Sequence, residues 1–452
     1  MQRSRGVLMT VSQQQQPTSL QGQVARVPAW DPPHYVRSLS LAIPAVLLGF
    51  QISGWVFAML ALQQGRTDFR SQYTAGYMVR SGNAHRLYDY GAQQFFQNQL
   101  VGPWDMALPF DHLPYEALLF VPFSHLSFKA AYFAMLAFNL VVLALSVRLI
   151  RRWTSTLDGI YPWLSSAMAI VFLPTALALM QGQDSILLLF CLTAAFWALE
   201  GGRQFLAGVL LSLGLFKFQI VLPIALLFLL WRRWRFSAGF ALSAAALVAT
   251  SVALIGWQAA TSYVRLLISM SMGLTSTVEQ ARLGTPPAIM PNLRGLVFGL
   301  FNNRVPPIWV QVIIVALSVI CIVAAFIGGS KARKGNSLLI PILAGAEVSY
   351  HFHLHDMTIL LLPILVWLDQ CIPAMPDGDL RQRRVAQLAA FLFIFPVIFG
   401  FAPGHFYLTA LVICGFLFVT LRWKRSEEDF EMGGKFKEEP SGATQPTVAG
   451  HT

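Results

Sequence analysis

Asp68 is the residue of this sequence best placed to act as a catalytic base. It follows the first long apolar run, residues 39–62, and is flanked by Arg66 and Arg70. A base that takes a proton from a hydroxyl must be ionised at neutral pH, and neighbouring guanidinium groups favour the ionised form. The alternative is structural: a helix N-cap, or a surface acid paired with one of these arginines. The first interpretation predicts a carboxylate held at the end of a membrane span.

A second group of chemically capable residues is the histidine cluster that precedes Asp356. His351, His353 and His355 alternate within five residues between two apolar runs. Three interpretations stand: a zinc site completed by Asp356 or Glu347, polar groups of the membrane interface, or a site in which an imidazole donates a hydrogen bond to, or protonates, an oxyanion leaving group. The pair His355–Asp356 suits the last role because a carboxylate can orient and charge an imidazole.

Two isolated cations and one amide complete the candidates. Lys217 lies between apolar runs, and Arg294 lies in the segment 290–296. An ionisable group at membrane depth is a functional candidate, with snorkelling to the interface as the alternative. Both can bind phosphate, arginine through two parallel hydrogen bonds and lysine as a point charge. Gln183, at the end of another apolar run, can bind a polyhydroxylated ligand or form a turn.

The elements that position these residues are membrane helices. Of the 452 residues, 56% are hydrophobic and 12% are charged, whereas about a quarter of a soluble globular chain is charged. Apolar runs long enough to cross a bilayer recur along most of the length. The net charge of +11 is distributed in short clusters beside these runs, as is typical of membrane-protein loops, so nucleic-acid binding is not expected.

The predicted fold is all-α, a polytopic transmembrane helical bundle with about twelve spans and both termini cytoplasmic. Residues 1–38 are expected to be a disordered cytoplasmic arm, residues 39–422 the transmembrane domain and residues 423–452 a disordered cytoplasmic tail. The distribution of Lys and Arg places Asp68 on the extracytoplasmic side. The sequence contains no Walker-type loop and no GxGxxG motif, which argues against a nucleotide-binding module.

Two long loops are expected on the extracytoplasmic side. Residues 63–112 form the first, whose recurring aromatic residues predict amphipathic helices lying at the interface. Residues 257–305 form the second. The run 113–126, bounded by Pro114 and Pro122, is expected to enter the membrane without crossing it. The same topology places the histidine cluster on this side.

Several short motifs follow one another along the chain: Thr67-Asp68-Phe69 with Tyr73, Gly76, Gly82 and Tyr88; Leu113-Pro114-Tyr115 with Pro122; Gly182-Gln183; Ala207-Gly208; Lys217 with Gln219; Asn292-Leu293-Arg294-Gly295; and His355-Asp356 before Leu361-Leu362-Pro363. In this order the motifs resemble those of glycosyltransferase family 87, integral-membrane enzymes of the GT-C fold that use polyprenyl-phosphate mannose. Two motifs depart from the family pattern: Leu113-Pro114-Tyr115 replaces Tyr-Pro-Pro, and Lys217-Phe218 replaces Lys-Pro.

The resemblance implies a hexosyltransferase of the EC 2.4 class that moves a hexose, with mannose expected, from a polyprenyl-phosphate donor to a glycolipid or glycan acceptor. A single displacement inverts the anomeric carbon. Asp68 is the implied base, and His355 and Asp356 are the other implied catalytic residues. The implied substrate and phosphate contacts are Arg66, Arg70, Tyr73, Gln183, Lys217, Arg294, His351 and His353.

The donor and the acceptor are then co-substrates, membrane lipids are the surrounding partners, and no cofactor and no metal are expected. The expected location is the bacterial inner membrane, with the active site facing the extracytoplasmic side. The alternative from another functional class is a secondary transporter or flippase, which also uses broken helices and charges near the midplane. The two halves of the sequence show no internal repeat, which argues against that alternative.

Overall fold

A computed structural model describes residues 31–272, 287–302, 304–329, 338–374, 380–398 and 404–422. These residues are mainly helical, and none of them forms a β-strand. The helices up to the middle of the chain are α1 (His34–Gln63), α2 (Phe69–Arg80), α3 (Tyr90–Leu100), α4 (Ala117–Phe120), α5 (Phe128–Ile150), α6 (Ser155–Ile160), α7 (Leu164–Val171), α8 (Leu173–Gln181), α9 (Ser185–Glu200) and α10 (Gln204–Ser212).

The helices that follow are α11 (Phe218–Leu230), α12 (Trp234–Ile255), α13 (Trp257–Met272), α14 (Leu293–Phe301), α15 (Pro307–Gly329), α16 (Leu339–Val348), α17 (Leu361–Cys371), α18 (Leu380–Ile398) and α19 (Thr409–Arg422). Short 3₁₀ turns join several of them, including Leu213–Lys217 between α10 and α11 and His355–Leu360 before α17.

Among the described residues, five helical stretches are long and apolar enough to cross a bilayer. They are His34–Gln63, Phe128–Trp153, Gln204–Leu230, Trp234–Ile255 and Pro307–Gly329. The pair α7–α8 makes a sixth if it counts as one span, and α9, α16 and Phe406–Arg422 are shorter apolar helices. The chain is therefore a polytopic all-α membrane protein, as the sequence predicts, whereas the count of twelve crossings is not confirmed.

The helix pair α7–α8 is bent by 57° at Phe172. Pro174, at the start of α8, has no N–H to donate, so the bend leaves backbone carbonyls without intrahelical partners. The buried side chain of Gln51, on α1, donates from Nε2 to the backbone oxygen of Val171 at 2.6 Å. A broken helix at membrane depth is thus stabilised by a polar side chain from a neighbouring helix.

Lys217 lies within a helical stretch of spanning length. The sequence places it between two apolar runs, 204–216 and 219–231. The structure instead forms one helical stretch, Gln204–Leu230, interrupted by a single 3₁₀ turn. Lys217 does not need to reach water there, because Asp184 and Asp356 surround its ammonium group.

Residues 63–112 contain α2, α3 and the 3₁₀ turn Ala84–Arg86, so helices do occupy the first loop. The run 113–126 forms α4 and two 3₁₀ turns, too short to cross a bilayer. Helix α1 begins at His34, which is earlier than the predicted arm boundary at residue 38. Three predicted segments lie outside the described residues: the arm up to residue 30, part of the loop 257–305, and the tail from residue 423.

A cluster of aromatic side chains under the first loop fixes the start of α2. Phe69 is fully buried, with ring centroids 6.0–6.4 Å from those of Phe120, Phe128 and Tyr132. Burying a side chain of this size contributes about 2–3 kcal/mol. Because Asp68 is the preceding residue, this packing also determines where its carboxylate can lie.

Candidate active site

Residues that are distant in sequence converge on one polar cavity of about 370 Å³, here called the site cavity. It lies between the start of α2, the turn from α8 to α9, the 3₁₀ turn before α11, and the segment before α17. Residues with chemically capable side chains in its walls include Asp68, His112, Gln183, Lys217, His351, His353 and His355. The structure therefore brings the first-loop acid and the three histidines together at a single site.

Asp68 is held by the turn that follows α8. Its Oδ2 accepts a hydrogen bond from Gln183 Nε2 at 2.8 Å, and its backbone N–H donates to Gln181 Oε1 at 3.3 Å. Asp68 immediately precedes α2, but its side chain makes no capping hydrogen bond. Gln183 thus orients the carboxylate, a more specific contact than the ligand-binding role that the sequence suggested for it.

The two arginines beside Asp68 do not pair with it, contrary to the expectation that they keep it ionised. Arg66 is exposed, with its guanidinium 5.6 Å from the centre of the Trp104 ring. Arg70 is fully buried and donates to Gln97 Oε1, Asn98 Oδ1 and the backbone oxygens of Gly65 and Gly102.

Arg70 therefore holds the first loop together, because its fork of donors satisfies four acceptors from three segments. Neither Arg66 nor Arg70 contributes to the walls of the site cavity.

Tyr73 and Arg294 also lie outside the site cavity. Tyr73 is buried in the aromatic cluster, and its hydroxyl donates to the backbone oxygen of Leu126 at 2.8 Å. Arg294 Nη1 donates to the backbone oxygen of Tyr350 at 2.6 Å, and its guanidinium lies 3.6 Å from the centre of that ring. Arg294 faces a separate groove beside α15, where Glu347 also lies. The predicted substrate contact through Tyr73 is thus replaced by a packing role.

The floor of the site cavity is a network of buried charges. Lys217 Nζ lies 3.2 Å from Asp184 Oδ1 and 3.1 Å from Asp356 Oδ1. Asp356 also accepts from Ser185 Oγ at 2.8 Å and from the backbone N–H of His353 at 2.9 Å. A buried charge is tolerated only when it is paired and hydrogen-bonded. The carboxylate of Asp356 meets that condition through Lys217, Ser185 and the backbone of His353.

The three histidines of the cluster are neutral imidazoles. Burial lowers the pKa of His351 and His353 to about 3 and that of His355 to about 4. The expectation that Asp356 charges His355 is not supported, because Asp356 pairs with Lys217 and lies 3.7 Å from His355 Nε2. As neutral groups, these rings can donate or accept hydrogen bonds but carry no charge toward a phosphate.

His112 is a site residue that the sequence interpretation missed. Its Nδ1 lies 2.6 Å from Glu116 Oε2 and 3.2 Å from Asp184 Oδ2. Burial lowers the pKa of His112, but the two carboxylates outweigh it and raise that pKa well above its usual value of 6.5. The two carboxylates therefore favour the protonated, positively charged form of His112. The sequence does contain a signal for this pair: His112 and Glu116 are four residues apart and flank the Leu113-Pro114 motif.

Among the described residues, His112, Glu116 and Asp184 form the group whose arrangement suggests a metal site. Their ligand atoms all lie within 4.8 Å of one another. Two ligand atoms that bind the same metal ion, each at about 2.0–2.2 Å, lie roughly 3 Å or more from one another. The 2.6 Å between His112 Nδ1 and Glu116 Oε2 is instead a hydrogen-bond distance. The three side chains, as placed, form an ion-paired group.

A large apolar groove of about 720 Å³ runs between α11, α12 and α13. A smaller junction cavity of about 320 Å³ lies between this groove and the site cavity. Phe218 and Leu267 line both the groove and the junction cavity, whereas Asp111, His112 and His351 line both the junction cavity and the site cavity. The three cavities therefore adjoin one another in a row from the apolar groove to the charged site.

The fold and the site define a polytopic membrane protein in which a polar cavity and a large apolar groove flank a common junction cavity. The model of glycosyltransferase family 87 matches residues 113–345, slightly more than half of the chain, and the chain belongs to this family. It is therefore an integral-membrane glycosyltransferase. This family membership favours a transferase over the transporter that the sequence left as an alternative. Asp68 and the histidine cluster lie outside the matched segment, whereas Lys217 and Arg294 lie inside it. No curated protein and no solved structure matches the chain.

Proposed function

We propose that this glycosyltransferase moves a hexose, with mannose as the first candidate, from a polyprenyl-phosphate donor to a hydroxyl of a glycolipid or glycan. The observation that carries the proposal is that the apolar groove, the junction cavity and the site cavity adjoin one another through shared lining residues. A polyprenyl chain fits a groove whose walls are almost entirely apolar. Its sugar-phosphate head then extends toward Asp68.

In the proposed reaction, Asp68 takes the proton of the acceptor hydroxyl. The acceptor oxygen attacks the anomeric carbon, and the bond from that carbon to the phosphate oxygen breaks, leaving its electron pair on the phosphate. A single displacement inverts the anomeric centre. Gln183 serves this step by fixing Oδ2, so that the carboxylate is oriented before the acceptor arrives.

Charge on the phosphate increases during this reaction. The donor is a phosphodiester with one negative charge, and the leaving polyprenyl phosphate is a monoester that carries a second. Positive groups fixed near the leaving oxygen stabilise the transition state more than the bound donor, which lowers the barrier. By this proposal, the reaction occurs at the extracytoplasmic face of a bacterial inner membrane, and neither a cofactor nor a metal takes part.

The test is sugar transfer in proteoliposomes that contain labelled polyprenyl-phosphate mannose and candidate acceptors. Asp68→Asn keeps the size of the side chain but cannot accept the proton, so the transfer rate should fall about 10²–10⁴-fold. Asp105→Asn removes an exposed acid of the same loop and should transfer like wild type. Undiminished transfer by Asp68→Asn would remove Asp68 from the mechanism. Wild-type protein that transfers only from a donor without a polyprenyl chain would refute the donor class.

A further inference from the structure

His112 lies where the polar and apolar parts of the site meet. Its side chain lines both the site cavity and the junction cavity. The next two residues, Leu113 and Pro114, line the apolar groove. A lipid whose chain occupies the groove therefore brings the first polar atoms of its head group to His112.

The surroundings of His112 hold the ring in one orientation and give it charge. Two buried carboxylates, Glu116 and Asp184, both lie within 3.2 Å of Nδ1. On the other side of the ring, Nε2 is 3.7 Å from Asp111 Oδ1, which is too long for a hydrogen bond. Among the described residues, Nε2 therefore has no hydrogen-bond partner and can meet a ligand, while the two carboxylates lie beside Nδ1.

The other cations of the site are less suited to a phosphate at this position. Lys217 is buried between Asp184 and Asp356. Arg294 lines a different groove, and Arg70 donates all its hydrogen bonds within the first loop. Within the described part of the chain, His112 is the cation that lines both the junction cavity and the site cavity.

We propose that His112 binds the phosphate of the donor lipid and stabilises the charge that this phosphate gains when the sugar leaves. The inference rests on the proposed function, because it requires a donor that carries a lipid-linked phosphate. It adds a phosphate-binding residue to the reaction and explains how a site with several carboxylates can accept an anion.

Binding of two lipids separates the phosphate contact from the groove. Polyprenyl monophosphate and neutral polyprenol of equal length are titrated into detergent-solubilised wild type, His112→Gln, His112→Lys and the exposed-residue control His85→Gln. Wild type and His85→Gln should prefer the phosphate. His112→Gln should lose about 10- to 100-fold of that preference, the scale of one hydrogen bond to a charged group. His112→Lys should recover most of it because it restores a positive charge.

Affinity for polyprenol reports whether the groove is intact, and it should be the same in all four proteins. An equal preference for the phosphate in wild type and His112→Gln would overturn the inference and leave the proposed function standing. Loss of the wild-type preference in EDTA, with recovery on adding Mn²⁺, would overturn it in favour of a metal held by the same residues. A wild-type protein that binds neither lipid would refute the donor class and, with it, this role.

Discussion

Lys217 shows how the buried charged side chains of this protein depend on one another. It is buried in a helical stretch of spanning length, and its ammonium lies within 3.2 Å of two carboxylates. Glu116 and His112 extend the same network through Asp184. Burying any one of these groups alone would be costly, so the network is stable only as a unit. Lys217 is therefore interpreted as the central counter-ion that allows two acids to lie under the site cavity.

Replacing Lys217 by Met should destabilise the protein by about 3–5 kcal/mol, because it leaves two buried carboxylates without their cation. Thermal unfolding in detergent, monitored by the loss of monodisperse protein, measures the effect. The double variant Lys217→Met/Asp356→Asn should be more stable than the single variant, since it removes one of the orphaned charges. Lys129→Met, which changes an exposed lysine at the start of α5, should unfold like wild type. A single variant as stable as wild type would show that the network does not depend on Lys217.

At the residue level, the sequence draws attention to residue types that are unusual for their surroundings, and their roles remain predictions. A lone acid after a membrane run pointed to Asp68, and the alternating imidazoles pointed to His351 and its neighbours; the structure places both at one cavity. The sequence alone does not show which side chains form hydrogen bonds or ion pairs with one another, because these pairs join segments that are distant in sequence. Arg70 adjoins Asp68 in sequence yet donates to residues 97–102, and Lys217 meets an acid 139 positions away, at Asp356.

Among the structural elements, the turn between α8 and α9 controls the geometry of the site. Gly182 has φ of +69°, a left-handed conformation, and a Cβ added there would lie 2.8 Å from Phe69 Cβ. The turn can therefore approach the start of α2 closely enough for Gln181 and Gln183 to hold Asp68. The sequence indicated a turn at this point, but not that α2 packs directly against it.

Gly182→Ala should lower the transfer rate about tenfold or more, because the added methyl group must push α2 and Asp68 away from Gln183. Misplacement of a reacting group by about 1 Å can cost about 10²-fold. Gly202→Ala is the matched control: Gly202 has φ of +73°, but a Cβ there would have no neighbour within 4 Å. Both variants should lose similar stability from backbone strain, and only Gly182→Ala should lose activity. Equal loss of transfer in the two would show that strain, rather than contact with Phe69, is the cause.

At the scale of the whole molecule, helix packing produces features that no single segment encodes. Apolar composition was sufficient to predict an all-α polytopic protein, since every long run must be helical in a bilayer. Span number was less predictable, because Lys217 does not end a helix and Pro174 bends one without ending the apolar segment. The apolar groove arises from the packing of α11, α12 and α13 and could not be read from hydropathy.

The apolar groove gives the last prediction, that donor chain length decides activity. Ala244 lines the groove on α12, and Ala245 lies next to it, exposed and outside the groove walls. Ala244→Trp fills part of the space that a polyprenyl chain would occupy. Displacing about two chain methylenes, at about 0.8 kcal/mol each, should lower kcat/KM for a full-length polyprenyl-phosphate donor about tenfold.

A donor with only two prenyl units leaves that part of the groove empty, so its kcat/KM should be nearly the same in Ala244→Trp and wild type. Ala245→Trp adds the same side chain to the lipid-facing surface and should not affect either donor. The measurement is sugar transfer from both donors by the three proteins in matched proteoliposomes. If Ala244→Trp slows the short donor as much as the long one, the groove does not hold the chain, and the lipid must reach the site cavity by another route.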